Sequence, residues 1–168
     1  MNKVYLQNFI MNHPNTPTYN KITENLYLGN LASFLLLASS PVEEQKKWAV
    51  VTVLSKPELS EYNRQISSRR FIIEALDSSR TNIKPVLRTA ANFIQESLSS
   101  GLNVLVHCAA GISRSSSVVI AFLMLKRGMT YDSALAFVQS KRKCVDPNPG
   151  FRSQLEELNA EIHSTRRN

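Results

Sequence analysis

The segment Leu102–Lys126, LNVLVHCAAGISRSSSVVIAFLMLK, restricts the fold of this chain more than any other stretch. Its aliphatic, β-branched run Val104-Leu105-Val106 reads as a short strand, and it leads through His107 and Cys108 into a loop of small residues. Ser117 to Arg127 is then too apolar all round for a surface helix, and Gly128 supplies a stop signal. The unit is strand, loop and buried helix. Between Cys108 and Arg114 there is no proline, and no bulky polar side chain precedes Ser113, so the loop amides are free to curl around one point. Such a nest of N–H groups, set at the positive end of a helix dipole, binds anions. Gly111 gives the loop the backbone freedom to turn there.

Two side chains make this anion site a candidate reaction centre. Cys108 opens the loop and Arg114 closes it, and the planar fork of an arginine can hold two oxygens of one anion. Helix N-termini and cationic neighbours favour the thiolate, which is the nucleophilic form of cysteine. A thiolate beneath a bound phosphate ester stands in line with the leaving oxygen.

Around this unit the chain alternates strands and helices. Ile22 to Leu28 reads as a strand pair and Leu31 to Ala38 as a buried helix. Trp48 to Leu54 and Phe71 to Leu76 are apolar runs of the kind found in strands covered on both faces. The link from Ser55 to Arg70, rich in charge, reads as a solvated connection. Helices are expected over Pro85–Ser99, after a Thr130 cap, and over Phe151–Ile162. The fold class is therefore α/β, a central, mostly parallel, twisted sheet flanked by helices. Ligands of such sheets bind outside the carboxyl ends of the strands.

Asp77 follows one of those strands directly and is the candidate acid for protonating a leaving alkoxide or phenoxide. The bland alternative is an aspartate that ends a strand or caps a turn. Glu74 lies within the strand, Asp132 in the first turn of a helix and Asp146 in a loop before Pro147, and all three are poorer candidates.

His107, Cys108, Gly111, Arg114 and Ser115 match the HCxxGxxRS pattern, and on these residues the chain resembles the cysteine-dependent protein phosphatases, in particular the small, atypical dual-specificity branch. The resemblance extends to Ile22 with Leu26–Asn30, to Asp77 with Ile83, and to Pro147-Asn148 with Phe151, Gln154 and Leu155, covering roughly residues 22 to 160. It implies hydrolysis of phosphate monoesters on phosphoproteins, at phosphotyrosine and at phosphoserine or phosphothreonine, through a phosphocysteine on Cys108. Asp77 is then acid and base, and Arg114 with the loop residues Ala109, Ala110, Gly111, Ile112 and Ser113 binds the phosphoryl group. Ser115 offers its hydroxyl to the departing thiolate, His107 orients the loop, and Asn148 braces it from the side or is merely a turn residue. No metal or other cofactor is implied. The domains expected are an N-terminal arm over residues 1–21, a catalytic domain over 22–162 and a tail over 163–168.

Charge and composition narrow the partners without choosing one. A net charge of +7 attracts anions generally, whether phosphoproteins, phosphoinositides or RNA. Neutral side chains at Ala109, Ala110, Ile112 and Ser113 favour protein substrates over phosphoinositides, whose phosphatases tend to carry lysines there. An RNA 5′-phosphatase, a phosphoinositide phosphatase and a phosphate-binding module without catalysis are the alternatives. Arg80, Arg142 and Arg152 form a possible second anion pocket or a solvated face. The two cysteines make no disulfide framework, Cys144 reads as a quiet thiol, and a catalytic thiolate needs a reducing compartment. No stretch reaches the roughly 18 apolar residues of a membrane span, so a cytoplasmic protein, also nuclear in one reading, is expected. Val4, Tyr5, Leu6, Phe9, Ile10 and Met11 make the arm apolar enough to dock.

Overall fold

A computed structural model describes residues 17–62 and 64–165. Strands β1 (Tyr19–Thr23), β2 (Leu26–Gly29), β3 (Trp48–Leu54), β4 (Arg69–Glu74) and β5 (Asn103–His107) form one sheet in the order β1-β2-β5-β3-β4. β1 runs antiparallel to β2, and the other pairings, β2 with β5, β5 with β3 and β3 with β4, are parallel. The hairpin between β1 and β2 turns at Asn25, whose φ of 59° lies in the left-handed region that asparagine tolerates. Helices α1 (Leu31–Ala38), α2 (Val42–Gln45), α3 (Lys56–Tyr62), α4 (Lys84–Ser99), α5 (Arg114–Arg127), α6 (Tyr131–Lys141) and α7 (Pro149–Thr165) cover both faces.

Successive side chains of a strand point to opposite faces, and here each face has its own core. Ala49, Val51, Val53, Val104 and Val106 enter the larger core, with Leu87 and Ile94 of α4, Phe122 of α5, Val138 of α6 and Leu155 of α7. Val50, Leu54 and Leu105 enter the smaller one, with Leu31, Phe34 and Leu37 of α1 and Tyr62 of α3. Double-sided burial explains why β3 and β5 read as continuous apolar runs. It also explains α5, which is buried from Arg114 to Met124 and ends at Gly128 with φ 70°.

The helix at Leu31–Ala38 and the strand at Trp48–Leu54 lie where the sequence pattern sets them. Three expectations need correction. The segment from Ser55 to Arg70 is not a solvated connection throughout, because it contains α3, whose Tyr62 is buried. Ser55-Lys-Pro-Glu58 is a helix start: the Ser55 N–H donates to Glu58 Oε2 at 2.7 Å, one half of a capping box. The strand expected at Phe71–Leu76 begins instead at Arg69, since β4 is an edge strand and charged residues are at home on an edge. The arm expected over residues 1–21 gives way to β1 at Tyr19; residues 1–16, with the proposed docking side chains, and 166–168 of the tail lie outside the described residues. Among the described residues no helix is long and apolar enough to cross a membrane.

Because the strands are parallel, the residues following β3, β4 and β5 gather along one edge of the sheet. Ser55, Ala75 to Asp77, and Cys108 all lie there. This arrangement depends on the larger core holding α5 against the sheet. Phe122→Ala is expected to cost about 3–5 kcal/mol in urea unfolding, whereas Leu36→Ala, at a side chain 60% exposed, is expected to stay within about 0.5 kcal/mol.

Candidate active site

The loop from Cys108 to Ser113 turns its carbonyls outward. Ala109 O accepts from Leu31 N, Ala110 O and Gly111 O from the Arg142 guanidinium, Ile112 O from Asp146 N, and Ser113 O from Ser117 N. The amides of Ala109, Ala110, Ile112 and Ser113, by contrast, meet no acceptor among the described residues. Carbonyls bound outside and amides unspent inside define an anion nest. Gly111 has φ 69°, and a Cβ there would lie 2.6 Å from Gly29 O, so both its conformation and its close approach to β2 call for glycine.

Cys108 sits at the base of this nest with 1% of its surface exposed. Its Sγ accepts from Gly111 N and from Ser115 Oγ, each at 3.1 Å. Arg114, the first residue of α5, is buried beside it. Its Nη1 and Nη2 donate to Glu58 Oε2 at 2.6 Å and Oε1 at 3.1 Å, and Nη1 also reaches Ala75 O at 3.2 Å. Burial pushes the Glu58 carboxyl up, but the bonds from Arg114 and Ser55 outweigh it and hold the group below its ordinary value. For Arg114 burial acts downward and Glu58 upward, with a net rise, so the two partners stay charged together. Arg114 Nε is buried and has no hydrogen-bond partner among the described residues.

Asp77 reaches the loop from the end of β4. Its Oδ1 accepts from Ser113 Oγ at 2.7 Å and from Asn148 Nδ2 at 2.9 Å, and its Oδ2 lies 3.9 Å from Arg114 Nε. Asn148 also donates its backbone N–H to Ser113 Oγ at 3.0 Å. Cys108, Gly111, Ser113, Arg114, Ser115, Asp77 and Asn148 thus form one connected cluster.

His107 lies below the loop, on the face of the smaller core. Its ring stacks on Phe34 at 4.8 Å between centroids, Nε2 meets Thr52 Oγ1 at 2.9 Å and Nδ1 faces Cys108 O at 3.4 Å. The Cys108 carbonyl can only accept, which assigns the ring proton to Nδ1, and Nε2 then accepts from the Thr52 hydroxyl, whose oxygen also accepts from Arg70. Burial, with the nearby charges of Arg70 and Arg114, pushes this histidine down to about 3 against the Cys108 carbonyl bond that favours charge.

The arginine trio does not form the second anion pocket that the sequence left open. Arg142 is only 2% exposed and is turned inward: Nε holds Gly111 O at 2.9 Å and Nη1 holds Pro17 O and Asn20 Oδ1, both at 2.7 Å. Arg152 pairs with Asp146, and Arg80 is exposed. Glu58 is the residue that sequence reading missed. The signal was present in the spacing Ser55-x-x-Glu58 at the carboxyl end of a strand.

A family model described as the catalytic domain of dual specificity phosphatases matches residues 26–161. Dual specificity protein phosphatase 1 of Arabidopsis thaliana is 35% identical over 137 residues, covering 82% of this chain and 67% of that protein. Dual specificity protein phosphatase 1B of the same plant is 42% identical over 91 residues, so the match covers 54% of this chain and only 54% of that protein's length. Among solved structures, the human tyrosine phosphatase-like serine/threonine/tyrosine-interacting protein aligns with a TM-score of 0.77 at 31% identity, over 86% of this chain and 97% of that one.

The neutral, buried His107 has a consequence for stability. The folded state keeps the ring unprotonated down to about pH 3, while the unfolded chain takes up a proton near the ordinary 6.5. Between those values the unfolded state binds more protons, so the His107 contribution is intact above 6.5 and declines as the pH falls, by at most roughly 1.4 kcal/mol per unit. Urea unfolding between pH 7.5 and 4.5 should show this loss in the wild type and a shallower one in His107→Gln.

Proposed function

This chain belongs to the dual specificity phosphatase family, and we propose that it hydrolyses phosphate monoesters on tyrosine and on serine or threonine side chains of proteins through a phosphocysteine on Cys108. The observation that carries the reading is the buried, unpartnered Nε of Arg114, held at the mouth of a loop whose amides are unspent. Glu58 takes one N–H of each terminal nitrogen and Ala75 O the other of Nη1, so Nε and the second N–H of Nη2 remain to grip phosphoryl oxygens.

In the first step the Cys108 sulfur forms a bond to phosphorus and the bond from phosphorus to the ester oxygen breaks. Asp77 gives that oxygen its proton, and the alcohol or phenol departs. Arg114 and the loop amides spread the charge of the transferring group. In the second step water attacks the phosphocysteine, Asp77 takes a proton from it, and the bond between sulfur and phosphorus breaks to leave inorganic phosphate. The Ser115 hydroxyl, 3.1 Å from Sγ, is positioned to stabilise the departing thiolate. Small, neutral side chains at Ala109, Ala110 and Ile112 place no recognition group for additional phosphates on the loop, which supports a phosphoprotein substrate over a phosphoinositide.

A second reading is favoured by one relative, whose description combines phosphatase-like with interacting protein. On it the loop binds a phosphorylated partner and releases it unchanged. Hydrolysis of p-nitrophenyl phosphate against pH, with reductant and no added metal, separates the two. Catalysis predicts a bell-shaped profile that vanishes in Cys108→Ser, together with a loss of roughly 10²–10⁴ and of the basic limb in Asp77→Asn. Turnover that survives Cys108→Ser would sink the mechanism. Phosphopeptide binding by a wild type that never turns over would establish the binding module.

A further inference from the structure

We propose that Ser113 and Asn148 are positioning residues for Asp77, which commit its Oδ1 to accepting hydrogen bonds and so leave Oδ2 as the oxygen that carries the proton to and from the reacting group. The proposal rests on the assignment of Asp77 as the acid and base made above.

A carboxyl oxygen has two in-plane lone pairs. Those of Asp77 Oδ1 are both taken, by Ser113 Oγ at 2.7 Å and Asn148 Nδ2 at 2.9 Å, so a proton placed on Oδ1 would displace one of these donors. Among the described residues Oδ2 has no hydrogen-bond partner, and Arg114 Nε lies 3.9 Å from it, too far for a hydrogen bond. An oxygen of a phosphoryl group gripped by Nε would therefore lie beside Oδ2, the oxygen free to hold the proton.

The direction of each donor is fixed by what else it touches. Ser113 Oγ accepts the Asn148 N–H at 3.0 Å, which directs the serine proton toward Asp77. Asn148 Oδ1 accepts from Phe151 N at 3.0 Å in the first turn of α7, so its NH2 group must face the carboxylate. Each residue thus anchors Asp77 to the start of a helix. Ser113 stands at the N-cap of α5, where a serine normally bonds its own helix, yet its side chain makes no cap bond there. The hydroxyl is spent instead on a carboxylate 36 positions away in the chain. A serine kept only to start the helix would show the opposite arrangement.

The test is the dependence of kcat/KM on the basicity of the leaving phenol, because the need for a proton grows with that basicity. Wild type, Asp77→Asn, Ser113→Ala, Asn148→Ala and Ser113→Thr are compared on aryl phosphates running from p-nitrophenyl to phenyl phosphate. Asp77→Asn is expected to steepen the dependence. Ser113→Ala and Asn148→Ala are expected to steepen it in the same sense, with a loss at phenyl phosphate about tenfold greater than at p-nitrophenyl phosphate. Ser113→Thr, which keeps the hydroxyl, restores the wild-type slope. Equal losses across the series, or no loss, overturn the proposal, since a merely structural role lowers every ester alike. Should Asn148→Ala fail to fold for want of its α7 cap, Ser113→Ala removes no cap bond and decides the matter. A slope unchanged in Asp77→Asn itself removes the acid assignment and this proposal with it. A tilt in Asp77→Asn without one in the two alanine variants removes the positioning alone.

Discussion

A guanidinium buried at the carboxyl edge of a parallel sheet has to be compensated, and the way Arg114 is compensated sets the layout of everything near it. Taking a charge of this kind out of water costs several kcal/mol unless a partner of good geometry meets it. Glu58 is that partner, and its side chain can reach only because α3 starts directly after β3, with Ser55 holding the carboxylate through both its N–H and its hydroxyl. The bidentate pair does more than balance charge. With both N–H groups of Nη1 held by Glu58 and Ala75 O, and one of Nη2 by Glu58, the plane of the guanidinium is fixed, and among the described residues Nε and the second N–H of Nη2 are the donors left over. The orientation of the remaining donors is therefore set by a helix on the opposite face of the sheet from α5.

A second buried arginine completes the loop from outside. Arg142 has no carboxylate partner among the described residues, and its acceptors, Gly111 O, Ala110 O, Pro17 O and Asn20 Oδ1, are neutral. Burial accordingly lowers its pKa from the ordinary value. Carbonyl dipoles turned toward that cation are turned away from Cys108, which leaves the amides of the same peptide units facing the sulfur. One cation behind the loop thus helps to orient the donors in front of it. The same side chain ties the loop to the segment entering β1, so the edge hairpin and the Cys108 loop share a fastening.

Much of this was legible in the sequence, for identifiable reasons. The strand at Trp48–Leu54 and the unit around Cys108 announce themselves because double-sided burial demands continuous apolar residues, and because a nest of amides excludes proline and bulk. Asp77 is found by topology, as an acid at the carboxyl end of a strand. Glu58 was hidden since it lies in a charged stretch that looks like solvated surface, although the capping-box spacing marks it. Arg142 was misread for a related reason: arginine composition argues exposure, and only the folded loop reveals carbonyls waiting for a cation. Neither pairing is local in sequence, and no periodicity encodes a contact between a side chain and a distant backbone carbonyl.

The serine run at the start of α5 is the clearest case of function written against local preference. Serine is a mediocre helix former, and buried hydroxyls without partners are costly. Here Ser113, Ser115, Ser116 and Ser117 are all buried, and every hydroxyl has a partner. Ser116 donates to Ile112 O and Ser113 O and Ser117 to Ser113 O, which fasten the loop to the helix and satisfy its outward carbonyls. Ser115 turns to the Cys108 sulfur and Ser113 to the Asp77 carboxylate. The four residues thus divide between building the nest and bonding the Cys108 sulfur and the Asp77 carboxylate. A helix of better formers could bury the same face, but alanine in their place would leave the loop carbonyls, the sulfur and the carboxylate without these donors. The weak propensity is tolerable because α5 is held by packing on all sides rather than by its own first turn.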